Sequence, residues 1–251
     1  MIFPIGDDNS DRSRTPYVNY ILIALNVLVF VLLQGLGSND QFTYAWATVP
    51  QEIVTGTDIA RAVPLGRDPA TGQMVGIQLQ PIPVTVYFTL ISSMFMHGSL
   101  MHLFGNMLYL WIFGDNLEDR LGHVRYLLFY LLCGVIASLA HVVMNTDSYI
   151  PSLGASGAIS GVLGGYILLH PTRRVRAIVL RGMMMDIPAY VAIGVWFLFQ
   201  LLEGYMNRGA EGGGVAYAAH IGGFIAGLAL IKIFAIGTGG NGAARPAARG
   251  Y

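Results

Sequence analysis

Six long apolar runs dominate this chain of 251 residues and limit the folds open to it. We place them at about residues 18–36, 90–114, 126–144, 156–170, 187–202 and 216–236. About 20 mostly apolar residues are needed for a helix to cross the hydrocarbon core of a bilayer. Charged residues make up only 11% of the chain, whereas soluble domains carry about 25%. The sequence therefore predicts an all-α membrane protein, a bundle of six transmembrane helices.

Two of the runs, 156–170 and 187–202, are short for a membrane span. Short, glycine-broken spans are tolerated where neighbouring protein surrounds them in place of lipid. The glycine-rich run 156–170 is therefore predicted to be the central helix of the bundle. The single cysteine, Cys133, lies in an apolar run, so an intrachain disulfide and a cysteine metal cluster are both excluded.

The distribution of arginine and lysine predicts the orientation of the spans. With a cytoplasmic N-terminus, inner segments carry eleven of the 14 basic residues and outer segments carry three, Arg61, Arg67 and Arg208. Such an excess marks the cytoplasmic side, so an even number of spans with both termini in the cytoplasm is favoured. The predicted organisation is a cytoplasmic segment (1–17), a six-helix membrane domain (18–236) with a long outer loop (37–83), and a disordered C-terminal tail (237–251).

Charge and repeat patterns narrow the function classes further. The formal net charge is zero, which gives no support for nucleic-acid binding. No internal repeat is recognisable, which disfavours a transporter built from inverted repeats. No transit peptide is recognisable either, so the expected location is a bacterial inner membrane, with the protein embedded in the lipid bilayer.

Polar residues in three separate runs are predicted to lie at one depth. Ser156 stands in the frame Gly-Ala-Ser-Gly-Ala-Ile-Ser-Gly of 154–161, and His220 follows about sixty residues later. Runs two, four and six all begin at the outer face, which brings His102 and Asn106, Ser156 and His220 to similar positions. Polar groups inside a bilayer are costly and indicate a functional site. A serine and a histidine together supply a nucleophile and a general base.

Glycine spacing around the two residues favours a direct contact between their helices. Small residues at every fourth position let membrane helices approach closely, and a hydrogen bond between serine and histidine needs about 2.6–3.2 Å. The alternative is that these glycines serve helix packing alone. The glycines predicted to support the site are Gly154, Gly157, Gly161, Gly223 and Gly227.

The remaining polar groups define the predicted chemistry. The outer halves of the spans carry no acidic residue, so we expect a dyad in which packing or a neighbouring hydroxyl orients His220. His102 and Asn106, four residues apart, would donate hydrogen bonds to an oxyanion, as would the N-terminus of the helix that Ser156 begins. A metal site formed by His97, His102 and His220 is disfavoured, because no Asp or Glu stands near them in sequence. No metal and no cofactor are expected.

Three motifs in this order resemble the rhomboid family of intramembrane serine proteases. They are His97-x4-His102-x3-Asn106, Gly154-Ala155-Ser156-Gly157 and Ala219-His220-x2-Gly223-x3-Gly227. The resemblance covers about residues 92–230, including the segment 114–122 after run two. It implies a six-helix bundle with an outward-facing water-filled cavity, Ser156 as nucleophile, His220 as base, and His102 and Asn106 beside the oxyanion.

The resemblance also implies roles for residues around the dyad. The loop 204–215 would be a flexible cap over the site, and Trp196 and Phe197 would line a lateral substrate gate unless they face lipid. Some members carry a tyrosine stacked on the base where this chain has Ser160. Its hydroxyl, or another ring, would fill that space.

The predicted function is that of a serine endopeptidase that cleaves transmembrane segments of other membrane proteins. The main alternative is a non-catalytic rhomboid-like protein that binds transmembrane helices in the same cavity. A transporter or a metal-dependent membrane hydrolase would require acidic groups at mid-membrane, and the sequence has none there.

Overall fold

The computed structural model describes residues 2–67, 71–179, 182–206 and 216–238. Most of this part is helical, with short 3-10 and π turns between the helices. Its α-helices are α1 (Tyr17–Leu28), α2 (Asp40–Trp46), α3 (Pro50–Thr55), α4 (Thr89–Ser92), α5 (Leu100–Leu121), α6 (His123–Met144), α7 (Ser156–Leu169), α8 (Ala189–Met206) and α9 (Tyr217–Phe234).

Three of the described helices, α6, α8 and α9, are long and apolar enough to cross a membrane. Shorter apolar helical segments cover Tyr17–Leu33, Val86–Phe95 and α7. Helix α5 is 22 residues long, but its last two turns carry Asp115, Glu118, Asp119 and Arg120. The mixture of long and short apolar helices is consistent with a membrane fold.

The prediction of an all-α protein was wrong in one respect, because the described part contains two small antiparallel sheets. Strands β1 (Phe3–Asp7), β4 (Arg174–Ile178) and β5 (Met184–Pro188) form one sheet in the order β1-β4-β5. Strands β2 (Ala62–Arg67) and β3 (Met74–Gln78) pair antiparallel within residues 37–83, the predicted outer loop. In β4 the buried Val175 and Ala177 alternate with exposed arginines, which is the period of a half-buried strand.

The predicted second run, 90–114, is not one helix. Short helical turns end at Phe95, the backbone becomes extended at Met96, and α5 begins only at Leu100. The break follows from the N-cap of α5, where the Ser99 hydroxyl accepts a hydrogen bond from the backbone N–H of His102 at 3.1 Å. A serine with extended backbone is a preferred N-cap, because its oxygen satisfies a free N–H of the first turn. His97 therefore precedes the helix that carries His102.

Helix α7 lies at the centre of the bundle, as run 156–170 was predicted to do. Its residues from Gly157 to Tyr166 are all buried. It packs against α9, α6 and α5. Because a glycine has no side chain, the carbonyl oxygens of Gly157 and Gly161 on α7 lie directly against the backbone of Gly223 and Gly227 on α9.

The C-terminal turns of α5 anchor the N-terminal segment. Arg12 donates to Asp115 at 2.6 Å, and the backbone N–H of Arg14 donates to Asp119 at 2.6 Å. The fully buried Glu118 accepts from the backbone N–H groups of Val18 and Asn19 at 2.9 and 2.7 Å. These N–H groups lie in the first turn of α1 and have no partner inside the helix. The carboxylate therefore caps α1 from a neighbouring helix.

The two ends of the described chain meet at this same end of the bundle. Strand β1 pairs with β4 in the connection after α7, and Arg120 donates to the carbonyl of Thr238 at 2.6 Å. The opposite end carries the outer loop, where Thr48 pairs with Ser152 just before α7 begins. Of the predicted C-terminal tail, residues 239–251 lie outside the described residues, as do residues 207–215 of the predicted cap.

Candidate active site

Ser156 is the first residue of α7 and follows a tight turn of the chain. Gly154 has a positive φ of 131°, and its N–H donates to the carbonyl of Ser93 at 2.9 Å. A Cβ at this position would lie 2.9 Å from Cε1 of His102 and 3.0 Å from its Nε2. Glycine is therefore required here both by the backbone angle and by the close approach of the His102 ring.

His220 lies in the first turn of α9 and faces Ser156. Its Nε2 is 2.8 Å from Oγ of Ser156, which is hydrogen-bonding distance. The two residues are 64 positions apart in sequence, so the contact is produced by the packing of α7 on α9. The structure thus brings together the hydroxyl and the imidazole that the sequence singled out.

Contacts between glycines set the distance between α7 and α9 near Ser156 and His220. A Cβ on Gly223 would lie 2.1 Å from the carbonyl oxygen of Gly157, and a Cβ on Gly227 would lie 2.1 Å from that of Gly161. Real Cβ atoms do not come within 3.0 Å of such atoms. Gly157 directly follows Ser156, and Gly223 lies three residues after His220, so the first of these contacts adjoins the dyad.

Sequence analysis missed the residue that contacts the other ring nitrogen of His220. Nδ1 lies 2.7 Å from Oε1 of Gln200, on α8. Packing or a neighbouring hydroxyl was expected to orient the His220 ring, but an amide oxygen is an equally competent acceptor. The available signal was that Gln200 is the one side-chain amide in the apolar run 187–202, where a polar group needs a partner.

His102 and Asn106 take different positions relative to the dyad. The Nδ1 atom of His102 lies 3.4 Å from the N–H of Gly98, which donates to it. Its Nε2 then carries the proton and lies beside Gly154, within reach of the space in front of Ser156. Asn106 is buried and donates to the carbonyl of His102 at 2.9 Å, and in the described part of the chain its side chain makes no hydrogen bond to Ser156 or His220.

Ser160, Trp196 and Phe197 lie around the Ser156–His220 pair. The Ser160 hydroxyl donates to the carbonyl of Ser156 at 2.6 Å, so it does not take the place of a ring beside His220. The nearest indole is Trp196 on α8, with its centroid 6.3 Å from that of His220. Phe197 stacks on Phe224 of α9 at 4.1 Å. Trp196 and Phe197 of α8 therefore both pack on α9.

The first histidine of the first motif, His97, is completely buried, with its ring centroid 5.1 Å from that of His102. Its backbone N–H donates to Gln34 at 2.9 Å, and the Gln34 amide donates to its carbonyl at 3.1 Å. Within the part of the chain that the structure describes, no three His, Cys, Asp or Glu side chains are arranged to hold a metal ion.

A small cavity of about 20 Å³ adjoins Ser156, with room for one water molecule. Its lining includes Ser138, Ser152 and Ala216. A larger groove of about 320 Å³ lies elsewhere, in the outer loop between Phe42, Trp46 and the 80–83 segment. Ser156 lines the smaller cavity, whereas the lining of the larger groove contains neither a serine nor a histidine.

Comparison with known proteins identifies the family. Residues 85–236 match the Rhomboid domain. The rhomboid protease GluP of Bacillus subtilis is 30% identical over 221 residues, which are 87% of this chain and 36% of that protein. The mitochondrial rhomboid protein 1 of Saccharomyces cerevisiae is 33% identical over 156 residues, 60% of this chain and 42% of that protein. The putative rhomboid protease YdcA of Bacillus subtilis is 33% identical over 110 residues, 44% of this chain and 52% of that protein.

The chain thus covers between 36% and 52% of the length of these relatives. The matched domain itself takes up more than half of the chain and includes both Ser156 and His220. Together with the apolar helices, this match shows that the chain belongs to the rhomboid family of membrane proteins.

Proposed function

We propose that this chain is an intramembrane serine endopeptidase that uses a Ser156–His220 dyad. The observation that carries the proposal is the distance of 2.8 Å between His220 Nε2 and Ser156 Oγ. A serine hydroxyl is a weak nucleophile at neutral pH and needs an adjacent base to become reactive. Two relatives named as proteases or putative proteases support the same reaction class.

The reaction follows from the positions of the two side chains. Oγ of Ser156 attacks the carbonyl carbon of the scissile peptide while His220 Nε2 takes its proton. His220 then returns that proton to the leaving amine as the C–N bond breaks, which leaves an acyl-enzyme. A water molecule, for which the adjacent cavity has room, attacks the ester with His220 again as base.

The negative oxygen of each tetrahedral intermediate forms next to the start of α7. Free N–H groups of the first helical turn and the helix dipole both stabilise an anion there. The Nε2–H of His102 lies beside Gly154 and provides a further donor. Asn106 holds the His102 carbonyl and so fixes the helix turn from which the ring extends.

The substrates in this proposal are transmembrane segments of other proteins, within a bilayer. The family and the apolar helices support a membrane location, and a bacterial inner membrane is proposed from the similarity to GluP. Six spans with both termini in the cytoplasm are proposed as well. Two contacts support that topology, since β1 and Thr238 both reach the same end of the bundle, remote from Ser156.

The direct test is cleavage of a model transmembrane substrate by the purified full chain, together with labelling by a fluorophosphonate probe. We expect Ser156→Ala to abolish both, and His220→Ala to reduce both by at least about 100-fold. Ser92→Ala is the control, because the Ser92 hydroxyl bonds the Trp46 carbonyl at 2.8 Å and should have no role in catalysis. Unchanged cleavage by purified Ser156→Ala would refute the proposal, and would favour a helix-binding protein that does not use the serine.

A further inference from the structure

Among the residues that the structure describes, Gln200 of α8 is the one hydrogen-bond partner of the His220 ring besides Ser156, and the dyad itself gives it no role. Oε1 of Gln200 lies 2.7 Å from Nδ1 of His220. We propose that Gln200 is a positioning residue that fixes the ring orientation and the tautomer of His220. This inference rests on the proposed protease function, because it concerns the general base of that reaction.

The direction of each hydrogen bond follows from the donors and acceptors available. As a base, Nε2 of His220 must present a lone pair to the Ser156 hydroxyl, so the proton of the neutral ring has to sit on Nδ1. A proton on Nδ1 needs an acceptor, and the amide oxygen of Gln200 is at the right distance. With the tautomers exchanged, Nε2 would carry the proton and could not accept one from serine.

The same contact serves the transition state. When His220 has taken the serine proton, both ring nitrogens are donors and the ring is positively charged. The negative end of the Gln200 amide dipole then stabilises the imidazolium without burying a fixed negative charge in the apolar bundle. A carboxylate at this point would accept the same hydrogen bond from Nδ1, but its larger desolvation cost would lower the stability of the fold and not the rate of the folded protein. A neutral amide therefore fits a site within the membrane domain.

Packing of α8 on α9 holds the amide in place. Trp196 is four residues before Gln200 and so shares its helix face. The centroid of its ring lies 6.3 Å from those of His220 and Phe224. Phe197 stacks on Phe224 at 4.1 Å on the same side. Most of the other large side chains of this segment, including Leu198, Phe199 and Leu201, are exposed. Hence the face with Gln200 is the one that contacts the base.

The experiment compares Gln200→Leu with Gln200→Glu in the purified full chain. Leucine approximates the size of glutamine and removes the acceptor, whereas glutamate retains an acceptor oxygen at the same length. We expect Gln200→Leu to lower kcat and the maximal rate of fluorophosphonate labelling by about 10–100-fold, with KM within about twofold of wild type. Gln200→Glu is expected to recover most of that loss. If Gln200 served helix packing alone, Gln200→Leu and Gln200→Glu would not differ in kcat in this way, and KM would change along with kcat.

Leu201→Ala, on the exposed side of α8, is the control for general loosening of the helix and should label at the wild-type rate. Wild-type labelling by Gln200→Leu, or an equal loss in Gln200→Leu and Gln200→Glu, would overturn the inference. Failure of the wild-type protein to be labelled at Ser156 would instead contradict the proposed protease function, so the two failures are distinguishable.

Discussion

The spacing of the candidate dyad depends on glycine, and Gly223→Ala is the sharpest way to test this. Gly223 lies three residues after His220 on α9, and its backbone contacts the residue that follows Ser156 on α7. The substitution adds one methyl group and no charge. In a helix it would by itself improve local stability by about 1 kcal/mol, because glycine is the poorer helix former.

The structure gives the size of the steric effect. The new Cβ would lie 2.1 Å from the carbonyl oxygen of Gly157, whereas ordinary contacts begin at 3.4 Å. The obstacle is backbone, so it is relieved only if α7 and α9 separate by about 1 Å. The same movement would lengthen the 2.8 Å contact between Ser156 and His220 beyond hydrogen-bonding distance. A misplacement of this size is expected to cost about 100-fold in rate.

The assay is the rate of fluorophosphonate labelling together with cleavage of a model transmembrane substrate, both in the same detergent. Gly194→Ala on α8 is the matched control, because a Cβ there has no atom within 4 Å, and it should react as the wild type does. The reasoning fails if Gly223→Ala labels and cleaves at the wild-type rate. It also fails if both glycine variants lose activity equally.

Three further predictions concern the surroundings of the dyad and the anchoring of the N-terminal segment. His102→Ala should lower kcat by about 10–100-fold and Asn106→Ala by less, measured on the same substrate, because only the His102 ring reaches the site directly. Glu118→Ala should lower the free energy of unfolding by about 2–3 kcal/mol, with Glu118→Gln milder, since two N–H groups of α1 lose their acceptor. Burial raises the pKa of Asp7 from 3.8 to about 7. The protonated carboxyl therefore makes its whole contribution to the free energy of unfolding below about pH 4, and this contribution is lost as the pH rises through about 7. The Tm of the wild type should therefore fall from pH 5 to pH 8 relative to that of Asp7→Asn. Parallel Tm curves of the wild type and Asp7→Asn would contradict the prediction for Asp7. Equal kcat losses in His102→Ala and Asn106→Ala would contradict the first prediction, and an unchanged stability of Glu118→Ala would contradict the second.

Most of the helical framework was accessible from the sequence. Apolar runs predicted the positions of α6, α7 and α9 to within a few residues, because a helix in lipid must satisfy its backbone internally and be apolar along its length. The convergence of Ser156 with His220 was predicted from depth and glycine spacing, and these residues lie 2.8 Å apart. Their catalytic roles remain a prediction that the labelling experiment tests.

Features that depend on tertiary contact were missed. The sheet that joins β1 to β4 pairs residues about 170 positions apart, and strand β4 lies in the polar segment between two apolar runs, where no helix was expected. The break before α5 depends on one N-cap serine, Ser99. Gln200 was overlooked because its significance lies in the helix that faces it, and a single sequence does not state which helices are neighbours.

The pairing of β1 with β4 has a consequence for the order in which this chain acquires its structure. Strand β1 is made before β4 and lacks this strand partner until about 170 more residues have been synthesised, which takes roughly 10–30 s at about 5–20 residues per second. Throughout that interval its backbone hydrogen-bonding groups face water. Closure of this sheet therefore becomes possible once β4 has been made, before α8 and α9 exist, and a protease-sensitive N-terminal segment on ribosome-bound chains would report whether assembly has reached that point.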